Sequence, residues 1–154
     1  MAWANSLILS ATVRDSFKNA IALNIGGTSP DTLNVALYSN SVTPSQDTDP
    51  ATYNVAPWAT GEVTGTNWAA GGVALSTPTM TLVSGVGVMF DAVDVSVAST
   101  TIATAVFGCL VYDTTLTPKA AIVGVYFGGT SYTTNNGTFG IQWDANGIFR
   151  ITLH

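Results

Sequence analysis

Residues 102–127 constrain the fold of this chain more than any other stretch. They form two apolar runs, rich in β-branched and aromatic residues, separated by a short polar turn at 114–118. Neither run alternates between apolar and polar residues, so neither is suited to leaving one face in water. The pattern predicts two central antiparallel strands in a sheet that is covered on both faces.

The rest of the chain predicts short strands around this hairpin. Alternating apolar residues and glycine-containing turns indicate strands at 33–39, 73–76, 79–83, 86–90, 91–98, 138–143 and 148–153. Asn136 followed by Gly137 is typical of a tight hairpin turn. A length of 154 residues suits one domain. We therefore expect a mainly β fold, an antiparallel β-sandwich or barrel-like domain.

The N-terminal part of the chain predicts one extended segment and the single helix. Residues 1–9 have an extended-looking pattern with apolar residues at Trp3 and 7–9. We expect either a first strand on the chain's own core or an arm that docks on a neighbouring subunit. A helix is expected over about 11–23, at the start of a β-rich domain that spans 10–154. Ser10 or Thr12 is the expected N-cap. The apolar stripe expected to face the sheet consists of Val13, Phe17, Ala20 and Ile21.

A long irregular loop at 40–70 is the stretch where contacts with other molecules are most expected. It combines three prolines with several aromatic residues, and loops of this length are disproportionately functional. The alternative is a surface loop that its own aromatic residues hold in place. Tryptophan and tyrosine are favoured at protein interfaces. The candidate interface residues, from this loop and the N-terminal segment, are Trp3, Leu7, Ile8, Tyr53, Trp58 and Trp68.

The composition argues against several classes of function. Charged residues make up 8% of the chain, where about a quarter is usual. Four basic residues and a net charge of −5 argue against binding to the phosphates of a nucleic acid. No apolar run is long enough to span a membrane, and the N-terminus lacks the features of a signal peptide. The single cysteine, Cys109, is expected to be a small buried apolar residue.

No set of residues predicts catalysis, a cofactor or a metal. The one histidine, His154, is the last residue, where it lacks the packing that a catalytic base needs. Asp47 and Asp49 lie two apart in the long loop, so a calcium site there is a minor alternative. Glu62 with an aspartate gives a more remote alternative, the paired carboxylates of a glycosidase. We predict no catalytic, cofactor-binding or metal-binding residues.

Five segments over nearly the whole chain resemble a family of small bacteriophage virion proteins that are common in phages of actinobacteria. Residues 33–38 read LNVALY and residues 137–151 read GTFGIQWDANGIFRI. The other three segments are residues 5–20, 62–75 and 108–113. The resemblance implies a non-enzymatic component of the phage particle, located in the virion after synthesis in the host cytoplasm.

The first expectation is a capsid decoration protein that binds the shell of the major capsid protein. It would act as a homo-oligomer, with a trimer favoured. The alternative is a minor tail or tail-fibre-tip protein that contacts the host surface, and a carbohydrate-active enzyme is a remote alternative. Expected partners are the major capsid protein or other virion proteins, with no nucleic acid and no membrane.

Overall fold

The structure is a computed structural model that describes residues 3–153. In these residues eleven strands accompany one helix. The elements in chain order are β1 (Leu7–Ile8), α1 (Ser10–Phe17), β2 (Leu33–Tyr38), β3 (Glu62–Val63), β4 (Val73–Ala74), β5 (Thr79–Val83), β6 (Gly87–Asp91), β7 (Val95–Val106), β8 (Gly108–Asp113), β9 (Ala121–Tyr126), β10 (Tyr132–Ile141) and β11 (Phe149–Thr152).

The strands form three antiparallel sheets. The central sheet has the order β1-β9-β8-β2-β3, with β4 also paired to β2. A second sheet consists of β7 and β10, and a third has the order β11-β6-β5. The arrangement is mainly β and sandwich-like, with a single helix near the N-terminus, and it confirms the predicted fold class.

The predicted central hairpin is confirmed for β8 and β9. All six residues of β8 are buried. Cys109 and Val111 belong to one hydrophobic core, whereas Leu110 and Tyr112 belong to a second core on the opposite face. One part of the prediction was wrong. Residues 102–106 are the last five residues of β7, which pairs with β10 in a different sheet. The apolar run continues through both strands, so the sequence gives no mark of this change of sheet.

The first core fills the space between the central sheet and the two smaller sheets. Its members come from alternate positions of β2 and β8 together with inward side chains of β6, β7 and β10, as the period of two along a strand requires. Its largest fully buried members include Trp68, Phe90 and Ile102. Cys109 is completely buried there, and burial raises the pKa of its thiol, so the predicted structural role is confirmed.

The second core covers the opposite face of the central sheet with the N-terminal segment and the long loop. Trp3 and Trp58 meet edge to face, with ring centroids 5.6 Å apart. Both rings lie over glycines of the sheet: a Cβ at Gly108 would be 2.7 Å from the Trp3 ring, and one at Gly124 would be 3.0 Å from the Trp58 ring. The two glycines therefore provide the space that the tryptophans occupy.

The helix differs from the prediction in its length, its cap and its orientation. It ends at Phe17 instead of residue 23, and Asn19 then takes a left-handed φ of 54°. Leu9 is the N-cap without a side-chain hydrogen bond, and the hydroxyl of Thr12 instead donates to the carbonyl of Ala121. Ala11 and Thr12 are the buried residues of the helix, whereas Phe17 is 84% exposed. The predicted inward stripe was wrong.

Of the later predictions, a strand and a turn are confirmed and one hairpin is wrong. The predicted strand at 79–83 is β5. The predicted turn at 144–147, just before β11, is closed by a hydrogen bond from the amide of Gly147 to the carbonyl of Asp144 (2.8 Å). No hairpin forms at Asn136 and Gly137, which lie inside β10 between shifts of its register with β7. The left-handed residue Asn136, with a φ of 48°, is accommodated by a bulged strand.

Candidate interaction surface

Three of the six candidate interface residues are buried in the chain's own cores. Trp3, Trp58 and Trp68 are 2%, 1% and 0% exposed. Trp68 packs edge to face on Phe139, with ring centroids 5.4 Å apart, and the hydroxyl of Tyr38 donates to the carbonyl of Trp58 at 3.0 Å. The expectation that these three tryptophans meet a partner was wrong, because their rings already fill the interior of the domain.

Tyr53 is half-buried and belongs to a hydrogen-bonded cluster that fixes the end of the long loop. Its ring stacks on Tyr112 with centroids 4.1 Å apart, and its hydroxyl donates to Glu62 at 2.9 Å. The other carboxylate oxygen of Glu62 accepts from the amide of Gly71 at 2.6 Å. Burial, followed by the hydrogen bond to Glu62, raises the pKa of Tyr53. Glu62 is therefore held in a structural role by two donors.

Asp49, like Glu62, is engaged in contacts within the chain. Asp49 lies 2.6 Å from the guanidinium of Arg14, which also pairs with Asp15 at 2.7 Å. Arg14 lowers the pKa of both carboxyls. Residues 3–153 contain no group of three or more side chains able to hold a metal ion, and His154 lies outside the described residues.

One pair of carboxyls was not anticipated from the sequence. Asp113, at the end of β8, is fully buried close to the carboxyl of Asp31, and one of its two oxygens has no hydrogen-bond partner among the described residues. One oxygen of Asp113 accepts from the amides of Thr115 and Leu116, at 2.6 and 3.1 Å. Burial first, and then the contact with Asp31, raise the pKa of Asp113. The two amide bonds to Asp113 hold the turn after β8, while its burial and the nearby carboxyl disfavour the ionised form of Asp113.

The remaining two candidates, Leu7 and Ile8, lie on an apolar groove at the edge of the central sheet. We call it the β1 groove; it runs between β1, α1 and β11. Two adjoining parts of it have volumes of about 750 and 160 Å³. Its lining side chains are mostly half-buried and apolar, and they include Ile8, Val13, Phe17, Phe149 and Ile151. Whether Leu7 and Ile8 contact a partner stays a prediction.

Four residues of the groove were not among the sequence candidates. Val13 and Phe17 were assigned to the core because they are spaced as one stripe of a helix. Phe149 and Ile151 were assigned only to the last strand. Their alternation with Arg150 and Thr152 marks an apolar face, but a pattern within one strand cannot show whether another element covers that face.

A second groove opens between the end of β9 and β10. It has a volume of about 620 Å³, and its lining combines Tyr132 and Trp143 with polar groups such as Gln142 and Asp144. Tyr132 is 44% exposed, and its ring lies 6.0 Å from that of Phe127. Aromatic faces beside hydrogen-bonding groups suit a sugar ring as well as a polypeptide.

Comparisons of the chain with protein-family models, with curated proteins and with solved structures found no match. No described helix has the length and apolar character needed to cross a membrane. The resemblance to phage virion proteins therefore stays a hypothesis, supported by the residues quoted above.

Proposed function

We propose that this chain is a structural component of a bacteriophage particle, most directly a capsid decoration protein that binds the shell of the major capsid protein. The observation that carries the proposal is the β1 groove, a neutral apolar surface that no described element of the chain covers. A groove of this kind favours association with another polypeptide. The low content of charged residues fits a domain whose surface is partly covered in an assembly.

The rest of the domain supports a role in binding. Both faces of the central sheet are used internally, and the acidic residues described above are engaged in structural contacts. A component present in many copies gains avidity from repeated weak contacts, so a modest groove in each copy suffices. A homo-oligomer, with a trimer favoured, would multiply the contacts further.

A second candidate is a minor tail or tail-fibre-tip protein that contacts the host surface. The groove beside β10 favours it, because Tyr132 and Trp143 lie there next to Gln142 and Asp144 and could stack on a surface sugar. A carbohydrate-active enzyme would need two carboxyls at that groove, and among its lining residues only Asp144 is acidic.

Copy number in purified particles tests the proposal. Quantitative mass spectrometry of the phage that encodes the chain should give a ratio to the major capsid protein set by the capsid lattice. A few copies per particle would support the tail protein. Absence from the particle would refute both, and sedimentation of the purified protein would test the trimer.

A further inference from the structure

The outer edge of the central sheet is unpaired at β1. β1 pairs with β9 on one side, and the described residues place no strand on the other. The amide of Leu9 donates to the carbonyl of Ile122 at 3.0 Å, so the backbone N–H of Leu9 points toward β9. Because hydrogen-bonded positions alternate along an antiparallel strand, the N–H and C=O of Ile8 face away from β9. Ile8 also lines the β1 groove, so its free backbone groups border that groove.

The charges around the groove favour a neutral occupant. Among the residues that line it, only Arg14 is charged. The guanidinium of Arg14 is already paired with Asp15 and Asp49, both of which Arg14 keeps ionised. An anion would compete with these two carboxylates, and a cation would meet apolar side chains. An uncharged apolar ligand is the chemical complement of this lining.

We propose that the β1 groove binds an extended, uncharged segment of a partner polypeptide, which adds a strand to the central sheet by pairing with the backbone of Ile8. An extended backbone supplies the N–H and C=O groups that an open edge lacks. Its alternate side chains point to one face, where Phe17 and Phe149 offer apolar contacts. A lipid chain would fill the groove but leave the backbone of Ile8 unpaired.

The identity of the partner as a virion protein rests on the proposed function, whereas the mode of binding rests on the groove and the open edge alone. A second copy of this chain is the competing occupant. Sedimentation distinguishes the two, since binding of a foreign segment predicts that β1 stays accessible in the free protein. A dimer whose formation protects the Ile8 amide from exchange would overturn the proposal.

A synthetic peptide tests the mode of binding. The probe is a short peptide of alternating valine and threonine with both ends capped, which is neutral and apolar on one face. Its control is the same peptide with methyl groups on the backbone amides that would face β1. In spectra of ¹⁵N-labelled protein, the unmethylated peptide should shift the Ile8 amide and slow its exchange. Methylation should weaken binding by about tenfold or more, because backbone hydrogen bonds are lost.

A pair of variants separates backbone from side chain at the same position. Ile8→Pro removes the outward N–H and leaves the bonds to β9, so it should abolish binding of the unmethylated peptide. Ile8→Ala keeps the N–H, so this variant should still bind the unmethylated peptide more tightly than the methylated one. Equal binding of both peptides to the wild-type protein, or no binding at millimolar concentration, would overturn the proposal without any variant.

The two proposals fail in different ways. If the peptide result is as expected but the protein is absent from particles, strand addition is supported and the virion role is refuted. If the protein is present in particles but the Ile8 amide exchanges as fast in the particle as in the free protein, the virion role is supported and strand addition is refuted.

Discussion

Replacing Leu110 by alanine tests the central position of β8. Leu110 is 0% exposed, faces the second core, and pairs across the sheet with Ala36 and Gly124. The change removes three buried carbons, worth about 0.8 kcal/mol each, and leaves a cavity whose cost adds to the transfer term. Small cross-strand neighbours cannot expand to fill this space. We expect a loss of about 2–5 kcal/mol in the free energy of unfolding.

Urea denaturation followed by tryptophan fluorescence measures this loss, since Trp3 and Trp58 report on the same core. The matched control is Leu82→Ala, at a residue that is 88% exposed on β5 and should change stability by less than about 0.5 kcal/mol. Phe107 is half-buried, so Phe107→Ala should lower the free energy of unfolding by less than the same change at a fully buried phenylalanine. Equal effects of Leu110→Ala and Leu82→Ala would refute the assignment of β8 as a strand covered on both faces.

Three further predictions concern buried polar contacts. Asp113→Asn keeps an acceptor for the turn and should reduce the pH dependence of stability. Because its pKa is raised in the folded state, Asp113 contributes its full stabilisation below about pH 3.8 and loses it as pH rises through that raised pKa. The thermal stability of the wild type relative to Asp113→Asn should therefore fall above that pH, and a difference that does not change with pH would contradict the raised pKa of Asp113. Thr12→Val removes the hydroxyl that donates to the carbonyl of Ala121 and should lower the free energy of unfolding, measured by urea titration, by about 1–3 kcal/mol. No loss would mean that water replaces the hydroxyl. Glu62→Ala removes both acceptors of the cluster, should cost a similar amount and should accelerate amide exchange at Gly71, and unchanged exchange would argue against the cluster.

The fold class could be predicted from the sequence because the hairpin of β8 and β9 carries its own signal. Uninterrupted apolar residues require cover on both faces, and both faces are covered. Turns with strong local chemistry, such as the one at 144–147, were also predictable. What could not be predicted is where the apolar run around Phe107 passes from one sheet to another, since both environments demand the same residue types.

The candidate site was predicted only in part. Leu7 and Ile8 are half-buried and line the β1 groove, whereas Trp3, Trp58 and Trp68 are buried. An aromatic residue in an irregular loop gives no indication of whether its partner is the chain's own sheet or another protein. The available signal was in β8 and β9, where Gly108 and Gly124 interrupt apolar strands and mark places at which large rings approach the backbone.

The burial of those tryptophans narrows how the domain can bind a partner. A sandwich with one free sheet face can present that face, but here the N-terminal segment and the long loop occupy it. The other face of the central sheet packs on the smaller sheets. The surface left on the central sheet is therefore an edge, and β1 is the edge that borders an apolar groove. Strand addition follows as the mode of contact that uses an edge without disturbing either core.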